Sequence, residues 1–528
     1  MHTDFFAAID NIAGLTIFQS QAAWDNYGAD TGAAQRKLAG ALRVTDTHAI
    51  PTVIAAANKF KVALWPVSGG CNFGYGTALP AQDNSVIVDL SALRKVVLDL
   101  EAGIAHIEPG VTQHDLAQAI ESSGENFLVP TTGVGPNGNL LGNALDGGYG
   151  LTPVADHFAA ISEFEGYWAD GTPFCHVYRE MGCPSLAQSW QAGTGPFWGG
   201  LLRQGNFGLV TKATLLLARA PEDCRILIFE WESNEDFERS MPELSRLVED
   251  IPGIGGVIMM NNFRILSTQD DAPLASSLEG EIRRAYLCSE AKKRKIAAWT
   301  AVCTLYGSAM AVRGSVKDIR RRLKGCRIWS FSTRQVRALA RVSKVMPKSW
   351  FPALRRSLNS LINALGTVEG RPIIAFLKIA YALDKNDRIL DETAHPARDG
   401  CGILWYAPLV PLSSKSVIRY QFVMSEVLAA HGFDNLLAVT TRTPRVLSAT
   451  IPLIFDRNDK KEVARAQKCY RALVAAGLAE GWPPYRIGVD FMDMLGFEKQ
   501  TYNSMLHAKL KAALDPNNIM SPGRYSGN

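Results

Sequence analysis

The apolar positions along this chain recur with two spacings, and their character shifts near residue 221. In "IPTVIAAANKF" (50–60) they return at helical intervals, and "QHDLAQAIESSG" (113–124) predicts a second helix, ended by Gly124. "SVIVDL" (85–90) and "AHIEPGV" (105–111) are short runs that predict strands. From about Pro221 the runs lengthen, as in "RILIFEW" (225–231) and "GILWYAPLVPL" (402–412), and mix with amphipathic helices. The tail "SMLHAKLKAALDPNNIMSPGRYSGN" (504–528) predicts a helix stopped at Asp515-Pro516 and a turn-rich end. The pattern is α/β or α+β, with no internal repeat and no low-complexity tract.

At 528 residues the chain exceeds one core and predicts two or more domains. No apolar run is long enough to span a bilayer, and "MHTDFFAAIDNIAG" carries acids where a secretory leader would be basic, so a cytoplasmic protein is expected. The nine cysteines lack any CxxC pair, which argues against a disulfide framework and a structural zinc site. The histidines are dispersed, His176/Glu180 and His395/Asp399 read as surface charge pairs, and no metal is expected. A net charge of +4 implies no partner by itself. The segment from Arg313 to Arg356, however, has Asp318 as its only acid. It reads as a solvated helical face over Ile319, Leu323, Val336, Leu339 and Val342; the sharper reading is a docking surface for an acidic partner or anionic membrane. No recognition motif accompanies it, so nucleic acid is not expected.

Two glycine clusters change the picture. "PVSGGCNFGYGTALP" (66–80) puts four glycines between an apolar run and a strand, and "GVGPNGNLLGNALDGGYG" (133–150) is a second cluster. The second fits G-x-G-x-x-G through Gly133, Gly135 and Gly138, with Asp156 near the distance of a ribose-holding acid. The dinucleotide fingerprint needs those glycines to open a helix, which Pro136, Gly138 and Gly142 oppose, so that reading is rejected. Each loop offers consecutive backbone N–H groups without bulky side chains, an anion-binding arrangement suited to a pyrophosphate. Glycine count alone leaves two tight turns as the alternative.

"SGGCNFGYGTALP", "DLSALRKVV", "IEPGVTQHDLAQAI", "GNALDGGYGLTPVADHF", "GNFGLVTKATLLL", "WPPYRIGVDFMDML" and "LDPNNIMSPGRY" follow one another in the order found in the vanillyl-alcohol oxidase / p-cresol methylhydroxylase flavoproteins, which this chain resembles at both ends. The resemblance is weak through about 235–390. It implies an α+β fold: a PCMH-type FAD-binding domain of two α/β subdomains, from residues 1–220 plus 482–528, with an inserted substrate cap (221–481) built on an antiparallel sheet flanked by helices. It implies FAD held by Ser68, Gly69, Gly70, Cys71, Asn72 and Gly74 of one loop and by Pro130, Thr131, Gly133, Gly142 and Asn143 of the other. Gly205, Asn206 and Gly208 would line the same cofactor, and Arg524 would close over it.

By the same resemblance, Tyr75, Tyr485 and Arg486 match the two tyrosines and the arginine that bind the phenolic oxygen of 4-alkylphenols. A guanidinium flanked by two phenol donors stabilises a phenolate, which pushes electrons to the para carbon and makes benzylic hydride loss to flavin N5 feasible. The product is a quinone methide. The family's carboxylate base, matched near Val134, is missing here, and an acid of some relatives is replaced around Thr443. Asp399 is the nearest remaining candidate, against the commoner finding of a surface aspartate ahead of a strand. Where relatives link the flavin covalently the aligned residue is Ile403, with Tyr406 out of register. Cys71 stands at the linking position of other relatives; it reads either as a cysteinyl link or, preferred, as a small buried residue beside non-covalent FAD.

The expected function is therefore FAD-dependent oxidation of a 4-substituted phenol or similar aromatic, with O2 or a redox protein as electron acceptor and a homodimer as the expected assembly. The alternatives are a same-fold flavin oxidoreductase acting on a non-phenolic alcohol, hydroxy acid or amine, and the flavin subunit of an electron-transfer complex.

Overall fold

The computed structural model describes residues 2–269, 278, 280–345, 358, 361, 362, 365, 366, 368–384, 388, 390–496 and 500–526. Both helices expected from the early apolar pattern form. Ile50–Phe60 ends on Lys61 in the left-handed region. Gln113–Ser123 is opened by a Thr112/Asp115 capping box and closed by Gly124 at φ 74°. In the first, Ile50, Val53, Ile54 and Ala57 point into a core shared with a small sheet.

That sheet runs in the order Leu15–Gln19, Gly40–Val44, Val86–Asp89, Leu64–Val67. Its last three strands are parallel, which is why Val86–Asp89 is buried throughout and reads as a continuous apolar run. The chain's tail returns to this sheet. The Leu64 amide donates to Ile519 O at 2.7 Å and the Ser521 amide to Leu64 O at 2.8 Å. Asp515, after the helix Tyr502–Leu514, fixes the return by accepting from the Ile519 and Met520 amides at 2.8 Å each and from Lys511 Nζ at 2.5 Å.

A second, antiparallel sheet runs Val96–Asp99, Ile104–Ile107, Gly208–Leu216, Ile161–Trp168, Pro173–Phe174. Residues 223–486 build a third. Its eight antiparallel strands run Arg327–Ser332, Asp223–Trp231, Trp299–Gly307, Ile258–Asn261, Ala438–Thr443, Val446–Asp456, Cys401–Pro411, Pro484–Arg486. The last of these, already within the C-terminal motif, pairs Arg486 with Ala407.

Alternation along these strands separates two faces. Leu404, Tyr406, Val439, Met259, Ala449 and Ile451 belong to one core with Met241, Leu244, Tyr420, Met424, Tyr470 and Leu473 from the covering helices Asn234–Asp250, Ser414–Ala430 and Lys460–Ala479. The opposite face carries Met260, Ala438 and Thr450, aligned across three strands, and Ala407 beside Arg486. Elsewhere that face is covered: Ile226 and Tyr306 pack with Leu361, Leu365 and Val368, and Ile403 and Trp405 with Leu377, Ile379 and Tyr381. No helix of the described residues is long and apolar enough to cross a membrane.

The described part of the basic segment is two helices, Ala309–Arg322 and Thr333–Val345, on either side of the strand Arg327–Ser332, rather than one helical face. Val316, Ile319, Leu323 and Val336 are buried, while Arg321, Arg322, Arg327 and Arg337 pair with Asp318, Glu243, Glu232 and Glu369 at 2.5–2.6 Å. Residues 346–356 and the side chain of Val342 lie outside the described residues. The two expected histidine pairs are otherwise engaged. The His176 ring is buried and accepts from the Tyr178 amide, and His395 packs edge-on against Phe73.

Candidate active site

A cleft with about 1290 Å³ of empty space, its open mouth included, lies where the first two sheets meet the tail. Ser68, Gly69, Gly70, Cys71, Asn72, Tyr75, Gly142, Asn143, Gly205, Gly208, Arg486 and Arg524 all line it. The glycines are there for the loops' approach to each other. A Cβ on Gly69 would run into the Asn139 side chain, and one on Gly142 would sit 2.8 Å from Ser68 Oγ. Gly70, at φ 65°, faces Ala78.

Other expected cofactor residues stand behind the lining. Gly74 (φ 80°) abuts the Trp405 indole, and Gly133 faces Phe376. Pro130 and Thr131 are buried, and Asn206 ties the strand entry to the tail by accepting from His507 Nε2 at 3.0 Å and donating to Ser526 Oγ at 3.2 Å. Asn143 donates to His157 Nδ1 at 2.6 Å. Burial holds that imidazole neutral, with its pKa lowered to about 4.

At one wall stands a charged knot that sequence reading missed. Asp146, 7 % exposed, receives Arg524 Nη2 on Oδ1 at 2.7 Å and Asn72 Nδ2 on Oδ2 at 3.2 Å, with Arg486 Nε 2.6 Å from Oδ2. Arg486 also donates Nη2 to Asn72 Oδ1. Its Nε, although close to Asp146, is out of line for a hydrogen bond and is left without one. Burial acts to lower the Arg486 pKa, but the Asp146 carboxylate together with Tyr75, Tyr485 and Tyr525 outweighs it and raises the value.

Around this cation gather the aromatic rings. Arg486 Cζ lies 4.4 Å from the Tyr75 ring centroid. Tyr485 meets Tyr149 edge-on at 5.9 Å, and Arg442 spans both, 3.9 Å from Tyr149 and 4.8 Å from Tyr485. Burial pushes Tyr485 up to about 12 and raises Tyr75 well above its ordinary value, so both phenols remain protonated donors.

Asp399 is elsewhere. It does not line the cleft, and it accepts from Tyr381 Oη and Arg388 Nη1 at 2.5 Å each and from the His395 amide at 3.1 Å. Burial works to raise its pKa, but these donors hold it below the ordinary carboxylate range, which makes it a weak proton acceptor. Ile403 is buried beside Phe73, Cys71 and Trp405. Tyr406 faces the helix-covered core, its hydroxyl against Gly477, and cannot reach the cleft.

A long cleft walled by close-set glycine backbone, with Arg524 and Asn143 at its sides, fits an extended dinucleotide such as FAD. Residues 38–173 match the FAD binding domain family. The chain is an FAD-dependent oxidoreductase. Over nearly its whole length it shares the fold of the PCMH-type flavoproteins. A crystal structure of p-cresol methylhydroxylase with substrate bound superposes with a TM-score of 0.84 at 22% identity, covering 99% of this chain and 96% of that one. A 4-ethylphenol oxidase from Gulosibacter chungangensis gives the same score at 21% identity, covering 99% and 97%. Among curated relatives, the chain is 26% identical to the flavoprotein subunit of 4-cresol dehydrogenase [hydroxylating] from Pseudomonas putida, over 92% of this chain and 87% of that one. It is 27% identical to 1'-carboxy-chondrochloren decarboxylase from Chondromyces crocatus, over 94% of each.

Proposed function

We propose that this oxidoreductase acts on a 4-substituted phenol, removing a hydride from the benzylic carbon. The observation that carries the reading is the stacking of Arg486 on Tyr75 at the cleft wall, with Tyr485 next to it in the chain. Residues 1–220 and 482–528 hold the cofactor in this reading, and 221–481 shape the substrate side. Bound FAD supplies the hydride acceptor.

The protein's own part is ionisation and orientation. Tyr75 and Tyr485, protonated at any physiological pH, donate to the substrate oxygen, and Arg486 opposes the charge that forms there. Asp146 fixes the guanidinium, because Arg524 shares the same carboxylate and leaves Arg486 one position to occupy. A substrate ionised in this way needs no carboxylate to take its proton during hydride loss. This is consistent with the low basicity of Asp399 and with a cleft wall at Val134 that carries no acid. Cys71, pushed up to about 11 by burial, is held as a thiol, which supports non-covalent FAD. The electrons pass on to O2 or to a redox protein.

The likeness to a decarboxylase favours a second reading on the same site. In a 4-hydroxyphenyl substrate with a carboxylate on the carbon next to the benzylic one, hydride loss yields a quinone methide. Departure of CO2 then leaves its bonding pair to form the alkene as the ring regains aromaticity.

Anaerobic titration of the purified yellow protein with 4-alkylphenols and 4-hydroxybenzyl alcohols tests the proposal. Flavin bleaching is expected. A bound flavin that no phenol reduces would transfer the assignment to a non-phenolic alcohol, hydroxy acid or amine. Acid precipitation should release the yellow colour, whereas colour kept in the pellet would point to a Cys71 link.

A further inference from the structure

Beside Trp405, on the second face of the eight-stranded sheet, stands an arginine with no ionic partner among the described residues. Arg264 follows the strand Ile258–Asn261, in the short helix Asn262–Ser267. The residue keeps some exposure, yet its Nε and Nη1 are shut off from solvent and form no hydrogen bond. No carboxylate among the described residues pairs with it. Its guanidinium stands over the Trp405 ring, 5.7 Å from Cζ to the centroid. Burial with nothing to offset it lowers the pKa to about 10.

A desolvated guanidinium with free donors is destabilising unless an anion completes it. Its place in the fold says where that anion comes from. Trp405 donates its amide to Gly74 O at 3.3 Å, one residue before Tyr75. Phe263, the neighbour of Arg264, packs with Trp405 in the same apolar cluster as Cys71 and Val134, which also line the cofactor cleft. Trp405 lies two residues before Ala407, the strand partner of Arg486, a separation of roughly 7 Å. Arg264 does not itself line the cleft, but it stands past the Trp405 indole from Arg486 and Tyr75, joined to the lining residues Cys71 and Val134 through the shared apolar cluster.

We propose that Arg264 recognises a carboxylate on the substrate, carried at the end remote from the hydroxyl that Arg486 holds. This rests on the phenol reading for the orientation of the substrate and independently on the unpartnered guanidinium for the anion. The chemical class it names is a 4-hydroxyphenyl-alkanoate or a larger phenol with an acidic side chain. The planar fork of an arginine takes a carboxylate in two parallel hydrogen bonds, and the Trp405 face fixes the plane of that fork.

The test uses the holoenzyme under anaerobic conditions and reads perturbation or bleaching of the flavin spectrum against ligand concentration. The ligands are 4-propylphenol, the 4-hydroxyphenyl acetate, propionate and butyrate series, and 3-phenylpropionate. At least one hydroxyphenyl-alkanoate should half-saturate at a concentration ten or more times below that for 4-propylphenol. In Arg264→Leu this ratio should fall to near one, and in Arg264→Lys it should be partly kept. Equal half-saturation in the unaltered protein overturns the proposal whether or not the variants fold, as does an undiminished ratio in Arg264→Leu. If 3-phenylpropionate binding depends on Arg264 while 4-propylphenol is ignored, the phenol reading fails and this one stands. If 4-propylphenol is bound and oxidised while no carboxylate improves on it, this one fails alone.

Discussion

The glycine-loop wall and the second face of the eight-stranded sheet, which meet at Arg486, are made in opposite ways. The wall is local. Ser68 to Asn72 bring a continuous stretch of backbone to the cleft and the 138–143 loop all but Leu140 of a second, and glycines stand where the loops meet. The face is assembled from single residues, such as Met260, Ala438 and Thr450, that become neighbours only through strand register. A wall of backbone suits a cofactor that never changes. A face of single side chains can change one residue at a time without disturbing the fold, because the other side of each strand keeps the helix-packed core.

The strongest way to break this comparison is Arg486→Met, since Arg486 lines the cleft yet belongs to the sheet. Loss of the charge facing the phenolate should slow flavin reduction by 4-alkylphenols roughly 10³-fold, about 4 kcal/mol in the barrier. Asp146 keeps Arg524, so the fold should survive. Stopped-flow reduction that falls by less than tenfold would mean that the oxidised substrate is not a phenolate.

Asp146→Asn sharpens the contrast from the wall side. It removes the anion that both arginines share while keeping an acceptor for one of them. The groups are nearly buried, so the loss should be about 3 kcal/mol, seen as roughly a hundredfold weaker retention of FAD. Reconstitution of apoprotein followed by flavin fluorescence measures it. Unchanged retention would separate the carboxylate from cofactor binding and leave it as an orienter of Arg486 alone.

Asp146 also shows how far the sequence was legible. The glycine loops, both early helices, Tyr75 and Arg486 carried local or motif signals, and twelve of the expected residues share one cleft. Asp146 stood inside a quoted motif but gave no signal of its own, because what makes it notable is Arg524, 378 positions away. Gly74 was legible as a glycine that had to be small, but the cause is Trp405 rather than a cofactor. Arg264 and Arg442 could not be found at all. One is defined by partners it lacks and the other by two rings brought together from distant segments.

A smaller effect comes from the histidine beneath the second loop. His157 is held at about 4 when folded against an ordinary 6.5, so the unfolded chain binds its proton first as pH falls. Its contribution is complete above pH 6.5 and fades as pH drops towards 4, about 2 kcal/mol being lost by pH 5. His395, also lowered to about 4 by burial, adds to the same acid limb. His157→Gln should therefore roughly halve the fall in melting temperature between pH 7 and 5, and leave it sloping in the same direction. A limb of unchanged steepness would remove His157 as its source.

The least expected change is at Asp399, where the two regions are best told apart by what does nothing. Removal of a general base at the reacting carbon would cost 10² or more in rate. Here Arg388, Tyr381 and the His395 amide already occupy the carboxylate and keep it ionised, so it has little basicity to offer a substrate. Asp399→Asn should alter anaerobic flavin reduction by less than about threefold. It should instead lower stability modestly, because Arg388 loses its shorter ion pair while retaining Asp384 at 3.4 Å. A rate that collapsed in this variant, with the melting temperature kept, would make Asp399 the base after all. Phenolate formation by Arg486 and the two tyrosines would then be insufficient by itself, and the carboxylate missing at Val134 would have been replaced from the sheet side.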